Sequence, residues 1–412
     1  MTIIKPAILG LWLIPSASLF AAPWTFEGAI DVSAADTDNH YFHHLDSSGR
    51  RNIAVSEQTI AIAWEDDRDG IPRIYLAYKQ TNEAGFTHEQ RVSGKGEAYE
   101  PSLIALSRGR FVIAWEELGQ IHARMVSVDG RLSLGPITRI DSAPSAQVNL
   151  SVDEDRIVAV WSQRSGRYGR IQVKRLVPGD KGGLKPGNGC AVDSVPPSDE
   201  QLYPSAIISD SRIIVTWEDR RPKHTIIMAA VEQRKSACVF SEPLRISEKP
   251  AGRNLPYGSG HGVSRVALEG YGKRGAFAVW ADKRDFRDGY DIWGAHFLPV
   301  ENRFGSNEKV QDDFGGLAKQ RHAAITGDKN GTLVVAWDDE REGGSDVVLS
   351  WHEDGEWSED WIVSVASGEG LQSNPSILLD SQGNLHIAWI DRQSIGGATR
   401  LKYAFGRHQK TQ

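Results

Sequence analysis

The sequence predicts an all-β protein, a seven-bladed β-propeller whose blades are four-stranded antiparallel sheets, and three observations support this. An apolar run ending in tryptophan recurs seven times, at Trp64, Trp115, Trp161, Trp217, Trp280, Trp337 and Trp389. Successive tryptophans lie between 46 residues (Trp115 to Trp161) and 63 residues (Trp217 to Trp280) apart, close to the length of a propeller blade. Turn residues, as in 328–331 and 380–383, separate short apolar strands within each repeat. A six-bladed ring is the alternative.

The first 22 residues are predicted to be an export signal. Lys5 places a positive charge near the N-terminus, residues 8–20 are mostly apolar, and Ala21 and Ala22 offer a cleavage site. The apolar run is too short to span a bilayer, and no later stretch is long enough. We therefore expect a periplasmic or secreted protein whose mature chain has no membrane span. The net charge of −7 argues against a nucleic-acid partner.

Residues 23–412 are predicted to form a single propeller domain, closed by its own N-terminus. Residues 24–33 resemble the outer strands that end the other repeats, whereas the last repeat stops near 406 without one. Pairing the two ends would complete the final blade and remove free sheet edges. The repeats run over about 48–93, 94–141, 142–194, 195–247, 248–312, 313–365 and 366–406.

The repeated Trp-x-Asp-x-Arg pattern, as in Trp64–Arg68, is expected to be structural. Near-copies spread around a ring cannot all belong to one active site. An aspartate and an arginine two residues apart beside a tight turn can pair with each other or bond backbone groups.

Only two cysteines are present, Cys190 and Cys238. Both are predicted to lie near the outer strands of neighbouring blades three and four. Export would permit a disulfide, but the bond requires a narrow range of Cα separations. A disulfide and two buried thiols therefore both remain open.

The repeat Trp-x-Asp-x-Arg-x-Gly-x-x-Asp-Ile-Tyr, clearest at 64–75 and 280–292, resembles secreted bacterial propellers of the sialidase-like (neuraminidase) superfamily. Members carry Asp boxes at the turn between third and fourth strands. Degenerate forms occur here at 82–87, 127–130 and 353–358. The family's Phe-Arg-Ile-Pro motif is missing, and sialidases have six blades, whereas this chain has seven repeats.

The resemblance implies a ligand site on the axial face, where the loops entering the first strands meet those between second and third strands. Residues expected just before the first strands are Arg50, Arg51, Tyr99, Glu100, Gln147, Tyr203, Ser264, Arg265, Arg321, His322 and Asn374. Sialidases bind the substrate carboxylate with three arginines beside a tyrosine–glutamate pair. By analogy Arg51, Arg265 and Arg321 would bind an anion, with Glu100 and either Tyr203 or Tyr257 in catalysis. Alternatively, these arginines pair with Asp66, Asp282 and Asp339.

Histidines near the same face are further candidates. His261 and His322 occupy entry loops and are predicted to contact a ligand. His40, His43 and His44 lie close to Asp36, Asp38 and Asp46, and imidazoles with carboxylates suit zinc or copper. Their spacing matches no specific metal motif, so no cofactor is predicted and a divalent metal is the alternative.

Two functional hypotheses follow. The first is an exported binding or scaffold module that recognises a glycan or an extracytoplasmic protein partner through its axial face. The alternative is an exo-sialidase type of glycoside hydrolase. Because one fold hosts many functions, the missing catalytic motif favours the binding hypothesis.

Overall fold

The structure is a computed structural model that describes residues 22–33, 42–45, 49–86, 88–141, 144–179, 182–234, 237–248, 262–284, 289–314 and 316–409. These residues form seven antiparallel sheets of four or five strands. The sheets are the blades of a seven-bladed propeller, which confirms the predicted fold class. We number the strands of each blade from the first, nearest the central axis, to the fourth, at the rim.

The strands follow the chain blade by blade. Blade 1 contains His43–His44, Ile53–Ser56, Thr59–Asp66, Arg73–Gln80 and His88–Arg91. Blade 2 contains Ala98–Leu106, Arg110–Glu117, Gln120–Val128, Leu132–Leu134 and Thr138–Arg139. Blade 3 contains Ser145–Asp153, Arg156–Ser165, Tyr168–Pro178 and Leu184–Ala191. Blade 4 contains Gln201–Ser209, Arg212–Asp219, Ile226–Val231 and Leu244–Arg245.

The remaining blades repeat this plan. Blade 5 contains Val263–Tyr271, Gly275–Asp282, Asp291–Leu298 and Arg303–Lys309. Blade 6 contains Gln320–Gly327, Leu333–Asp339, Asp346–Glu353, Glu356–Trp357 and Trp361–Ile362, followed by a short 3-10 helix at Ser364–Ala366. Blade 7 contains Leu371–Leu379, Leu385–Arg392 and Thr399–His408, joined by the N-terminal strands Trp24–Phe26 and Ile30–Asp31.

The second strands form the core between blades. Their apolar runs barely alternate because both faces of each sheet are covered by a neighbouring blade. The repeated tryptophan of each second strand is at most 2% exposed. Trp389, for example, belongs to a cluster with Val347 and Leu349 from the third strand of blade 6. Losing one such ring would cost about 3–5 kcal/mol, so the repeated tryptophans hold each blade to its neighbour.

The N-terminus closes the ring, as predicted. Trp24 pairs with His408, and Ile30 pairs with Tyr403. The indole of Trp24 also packs edge-on against Trp351 of blade 6, with ring centroids 5.9 Å apart. Closure therefore combines backbone pairing within blade 7 with a side-chain contact to blade 6.

The first strands of blades 2 to 7 each contain a β-bulge. The bulge residues have positive φ: Glu100, Gln147, Tyr203, Arg265, His322 and Asn374. The sequence-based expectation that these residues precede the first strands is wrong. Each first strand begins before its bulge residue. The bulge changes the direction of the chain at the axial end of the blade without ending the strand.

Blade 1 has a longer interruption in place of a bulge. His43–His44 pairs with the second strand, and pairing resumes only at Ile53. The residues just before Ile53, which we call the plug (49–52), contact several other blades. The Arg51 carbonyl accepts from the Leu103 amide at 2.8 Å, and Arg50 Nε donates to the Val148 carbonyl at 2.9 Å. The plug therefore lies across the axial channel.

A disulfide joins Cys190, in the fourth strand of blade 3, to Cys238, which precedes the fourth strand of blade 4, with Cα atoms 5.8 Å apart. Of the two alternatives left by the sequence, the bonded one is the one found. Disulfides are typical of oxidising compartments. Among the described residues, no helix has the length and apolar character to cross a membrane.

Candidate functional site

Carboxylates that follow the repeated tryptophans hold the bulges in place. Glu65 accepts a hydrogen bond from the Glu100 amide at 3.0 Å. Glu218 accepts from the Arg265 amide at 2.7 Å, and Asp338 from the Asn374 amide at 3.2 Å. In each case the acceptor belongs to the preceding blade. The axial ends of the first strands are therefore fixed by contacts between blades.

The bulge residues form a ring of strained positions around the axis. Their φ angles lie between 48° at Tyr203 and 64° at Gln147. This left-handed region costs an L-residue about 1–2 kcal/mol, whereas glycine adopts it without penalty. None of the six is a glycine, and only His322 and Asn374 belong to types that tolerate the conformation well. The chain therefore retains side chains where glycine would relieve strain.

A cavity of about 420 Å³ opens on this face where blade 1 meets blade 2. It is lined by Phe42, His44, Glu65, Asp66, Asp67, Pro72, Tyr99, Glu100 and Glu116. Five of these nine residues carry carboxyl groups, and none is a lysine or an arginine. Phe42 is 42% exposed, and Tyr99 is half-buried. The described walls thus combine hydrogen-bond acceptors with aromatic surface.

Two glutamates of this cavity have different surroundings. An oxygen of Glu100 lies 2.8 Å from the guanidinium of Arg50, whose side chain is only 3% exposed. Burial raises the pKa of Glu116 to about 7, and the nearby charge of Glu100 adds to the effect. A group with that pKa is about half protonated at neutral pH. The cavity therefore presents an ion-paired carboxylate beside a carboxyl group that titrates near pH 7.

The three arginines proposed to bind an anion have three different partners. Arg51 forms an ion pair with Glu269 of blade 5, and burial raises the pKa of Glu269. The Arg265 guanidinium lies 3.6 Å from the ring centre of Tyr203, and Arg321 lies 5.3 Å from that of Tyr290. Each of the three arginines therefore has a contact with a different side chain of the propeller.

The three aspartates of the alternative pairing have other arginines as partners. Asp66 pairs with Arg68, Asp282 with Arg284, and Asp339 with Arg341. Each of these partners lies two residues further along in the same repeat.

The structural interpretation of Trp-x-Asp-x-Arg is confirmed. In blade 1, Trp64 Nε1 donates to Asp66 at 2.8 Å, and Arg68 Nη2 donates to the same carboxylate at 2.6 Å. Blades 4, 5 and 6 repeat both contacts. We call this arrangement the tryptophan corner.

The predicted histidines take different positions. Both ring nitrogens of His43 lie within hydrogen-bonding distance of Ser33 and Thr399, and burial lowers its pKa to about 4. His44 lines the cavity, and His322 Nδ1 lies 2.8 Å from Asp338. In the described ranges, no three His, Cys, Asp or Glu side chains are grouped to hold a metal ion. His40, Tyr257 and His261 lie outside the described residues.

Sequence reasoning missed Phe42, Glu65 and Glu116 as site residues, and it placed Arg50 on the axial face without giving it a role. A signal for two of them was present, because Glu65 and Glu116 directly follow repeated tryptophans. A second signal marks the bulges: Pro101, Pro204 and Pro375 recur at the same point of the first strands. Proline within a sheet is confined to edges, strand starts and bulges.

No protein-family profile and no curated protein sequence matches the chain. Solved propellers do match in structure. An α-L-arabinanase of Penicillium chrysogenum complexed with arabinobiose has a TM-score of 0.51 at 10% identity, over 92% of this chain and 98% of that one. Polysaccharide lyase Uly1 has a TM-score of 0.58 at 6% identity, over 92% and 94%. The propeller domain of the Trilobed protease from Pyrococcus furiosus has 0.51 at 8%, over 92% and 97%. At such identities the similarity establishes a shared fold.

Proposed function

We propose that the axial cavity binds a carbohydrate, and that this carbohydrate is neutral or basic. The observation that carries the proposal is the cavity wall, which places Glu65, Glu100 and Glu116 beside the rings of Phe42 and Tyr99. Carboxylates accept strong hydrogen bonds from sugar hydroxyl groups. Aromatic rings offer apolar surface to the C–H faces of a sugar.

The size and fold of the site support a saccharide ligand. A volume of about 420 Å³ lies within the range of pockets for small ligands, whereas a protein partner would need a broad surface. Two propellers of similar fold are named an arabinanase complexed with arabinobiose and a polysaccharide lyase. The ligand class is therefore a sugar of a few units in preference to a protein.

The charge of the cavity favours neutral or basic sugars over sialic acid. Five carboxyl groups line it, and like charges repel an anionic ligand. The arginines that a sialidase would use are engaged with Glu269, Tyr203 and Tyr290. The exo-sialidase alternative therefore lacks support from the site, while the hypothesis of a glycan-binding module gains it.

We also propose that the protein acts outside the cytoplasm. The Cys190–Cys238 disulfide supports this location, because such bonds persist in oxidising compartments. The export signal predicted for residues 1–22 supports the same location. Periplasmic and secreted destinations remain equivalent on this argument.

The test is a glycan array printed with neutral, amino-sugar and sialylated oligosaccharides. We expect the mature protein to bind neutral or amino-sugar glycans, and Phe42→Ala to weaken that binding about tenfold through lost stacking surface. Phe314→Ala is the matched control, because Phe314 is 83% exposed but does not line the cavity. Binding of sialylated glycans alone, or of none, would contradict the proposal.

A further inference from the structure

Two carboxyl groups of the axial cavity, those of Glu100 and Glu116, lie in different surroundings. Arg50 is anchored by the Val148 carbonyl at 2.9 Å and lies 2.8 Å from Glu100. Glu116 accepts a hydrogen bond from the backbone of Gln147 instead. Burial together with the charge of Glu100 raises the pKa of Glu116 to about 7, so about half of the molecules carry a proton on Glu116 at neutral pH. A buried carboxyl group beside an ion-paired one gives the two groups the different surroundings that acid–base chemistry on one bond uses.

We propose that Glu116 and Glu100 cleave a glycosidic bond of the saccharide bound in the axial cavity, Glu116 as the proton donor and Glu100 as the base. This activity rests on the proposed carbohydrate binding and adds a reaction to it. Both groups line the same cavity, and glycoside hydrolysis uses a pair of carboxyl groups on either side of the bond that breaks.

The step is a hydrolysis that balances without a co-reactant other than water. Glu116 gives its proton to the glycosidic oxygen as the bond from that oxygen to the anomeric carbon breaks, so the leaving sugar departs as an alcohol. Glu100 takes a proton from water as the water oxygen bonds to the anomeric carbon. One water is consumed for each bond broken. Solvent then returns the proton from Glu100 to Glu116.

The bulge and its contacts make Glu100 a well-positioned base. The Glu100 amide donates to Glu65 at 3.0 Å, while the Glu100 carboxylate meets the buried Arg50. Contacts from blade 1 thus fix both the backbone and the side chain of Glu100. A catalytic group that is already fixed avoids the entropy cost of ordering it during the reaction. Arg50 acts through Glu100 and is a positioning residue.

Glu116 also has a structural role, and the test must separate this role from the proposed catalytic one. Glu218 and Asp338 occupy the same place after their tryptophans and accept an amide of the next blade, as Glu116 does for Gln147. Glutamine supplies the same acceptor oxygen but cannot donate an acidic proton. Glu116→Gln therefore keeps the contact between blades and removes the proposed proton donor.

The experiment incubates the mature protein with the neutral and amino-sugar glycans that it retains on the array and detects cleavage products by mass spectrometry. We expect wild-type cleavage to fall as pH rises through about 7, because Glu116 then loses its proton. Glu116→Gln should lower the rate at least 100-fold while glycan affinity changes less than threefold. Glu218→Gln, outside the cavity, should cleave as the wild type does.

The possible results distinguish the proposed hydrolysis from the proposed glycan binding. Binding without cleavage by the wild type overturns the hydrolase and leaves the binding function standing. Cleavage by Glu116→Gln at the wild-type rate, or with an unchanged pH profile, also overturns the role of Glu116. Absence of all glycan binding overturns the proposed function itself.

Discussion

Two rings of repeated positions lie on the same face of the propeller, and they differ in what is repeated. In the outer ring, the tryptophan corners of blades 1, 4, 5 and 6 repeat the same three residue types with the same contacts. In the inner ring, the bulges repeat a backbone conformation, with φ near 50–65°, while the side chains differ in every blade.

The difference separates structural from functional repetition. The hydrogen bonds that join the tryptophan, aspartate and arginine of a corner form within one repeat, so each copy needs the same residues. A bulge is fixed by the preceding blade through an amide that every residue except proline carries, so its side chain is left to vary. Each blade can therefore present its own chemistry at the axis on a common backbone.

Removing a corner carboxylate should produce the largest loss of stability. Asp219 accepts hydrogen bonds from Trp217 at 3.2 Å and from Arg221 at 2.6 Å. Asp219→Ala leaves a buried indole N–H unpaired and removes one of two carboxylates beside Arg221. We expect the free energy of unfolding to fall by about 3 kcal/mol, measured by urea denaturation.

Blade 3 supplies the matched control for that substitution. Gln163 occupies the position of the corner carboxylate there, and Trp161 Nε1 has no hydrogen-bond partner among the described residues. Gln163→Ala should change the free energy of unfolding by no more than about 0.5 kcal/mol. Equal losses for the two variants would show that the corner contributes nothing beyond its tryptophan.

A substitution in the plug, at the inner ring, should have a smaller effect on the free energy of unfolding. Gly49 has φ +79°, and a Cβ there would lie 2.6 Å from the Val266 carbonyl oxygen. Gly49→Ala should therefore lower the free energy of unfolding by about 2–3 kcal/mol, through backbone strain and overpacking. Gly130 has φ +66° and open space around it, so Gly130→Ala should cost about 1 kcal/mol from strain alone. Thermal unfolding of both variants gives the comparison, and equal shifts would mean that the plug is not tightly packed.

The outer ring and the fold were predictable from the sequence because the residues that indicate them lie close together in the chain. A tryptophan that ends an apolar run reports a buried second strand, and an aspartate two residues later can reach its indole. Closure was predictable because the two halves of blade 7 are visible as an extra outer strand at 24–33 and a missing one after 406. The disulfide was left undecided, since its geometry depends on how far two loops reach.

The inner ring was less predictable because its contacts join residues far apart in the chain. Arg51 was expected at a ligand, yet it pairs with Glu269, 218 residues away. The raised pKa of Glu116 depends on Glu100 and on burial by neighbouring blades, which no spacing reveals. Several of the residues expected at the axial face lie at the bulges, whereas their partners required the structure.

Relieving one strained bulge should give the smallest effect and the sharpest test of the inner ring. Asn374 has φ +52°, and its amide, which donates to Asp338 at 3.2 Å, is kept by any residue but proline. Asn374→Gly removes the left-handed penalty but gives the unfolded chain more freedom. Because asparagine already tolerates the conformation, Asn374→Gly should change the free energy of unfolding by no more than about 0.5 kcal/mol, whereas Asn374→Ala should cost about 1 kcal/mol. Both are measured by urea denaturation against the wild type. If glycine destabilises as much as alanine, the bulge backbone is not strained, and the retention of side chains at the axis would no longer point to a ligand.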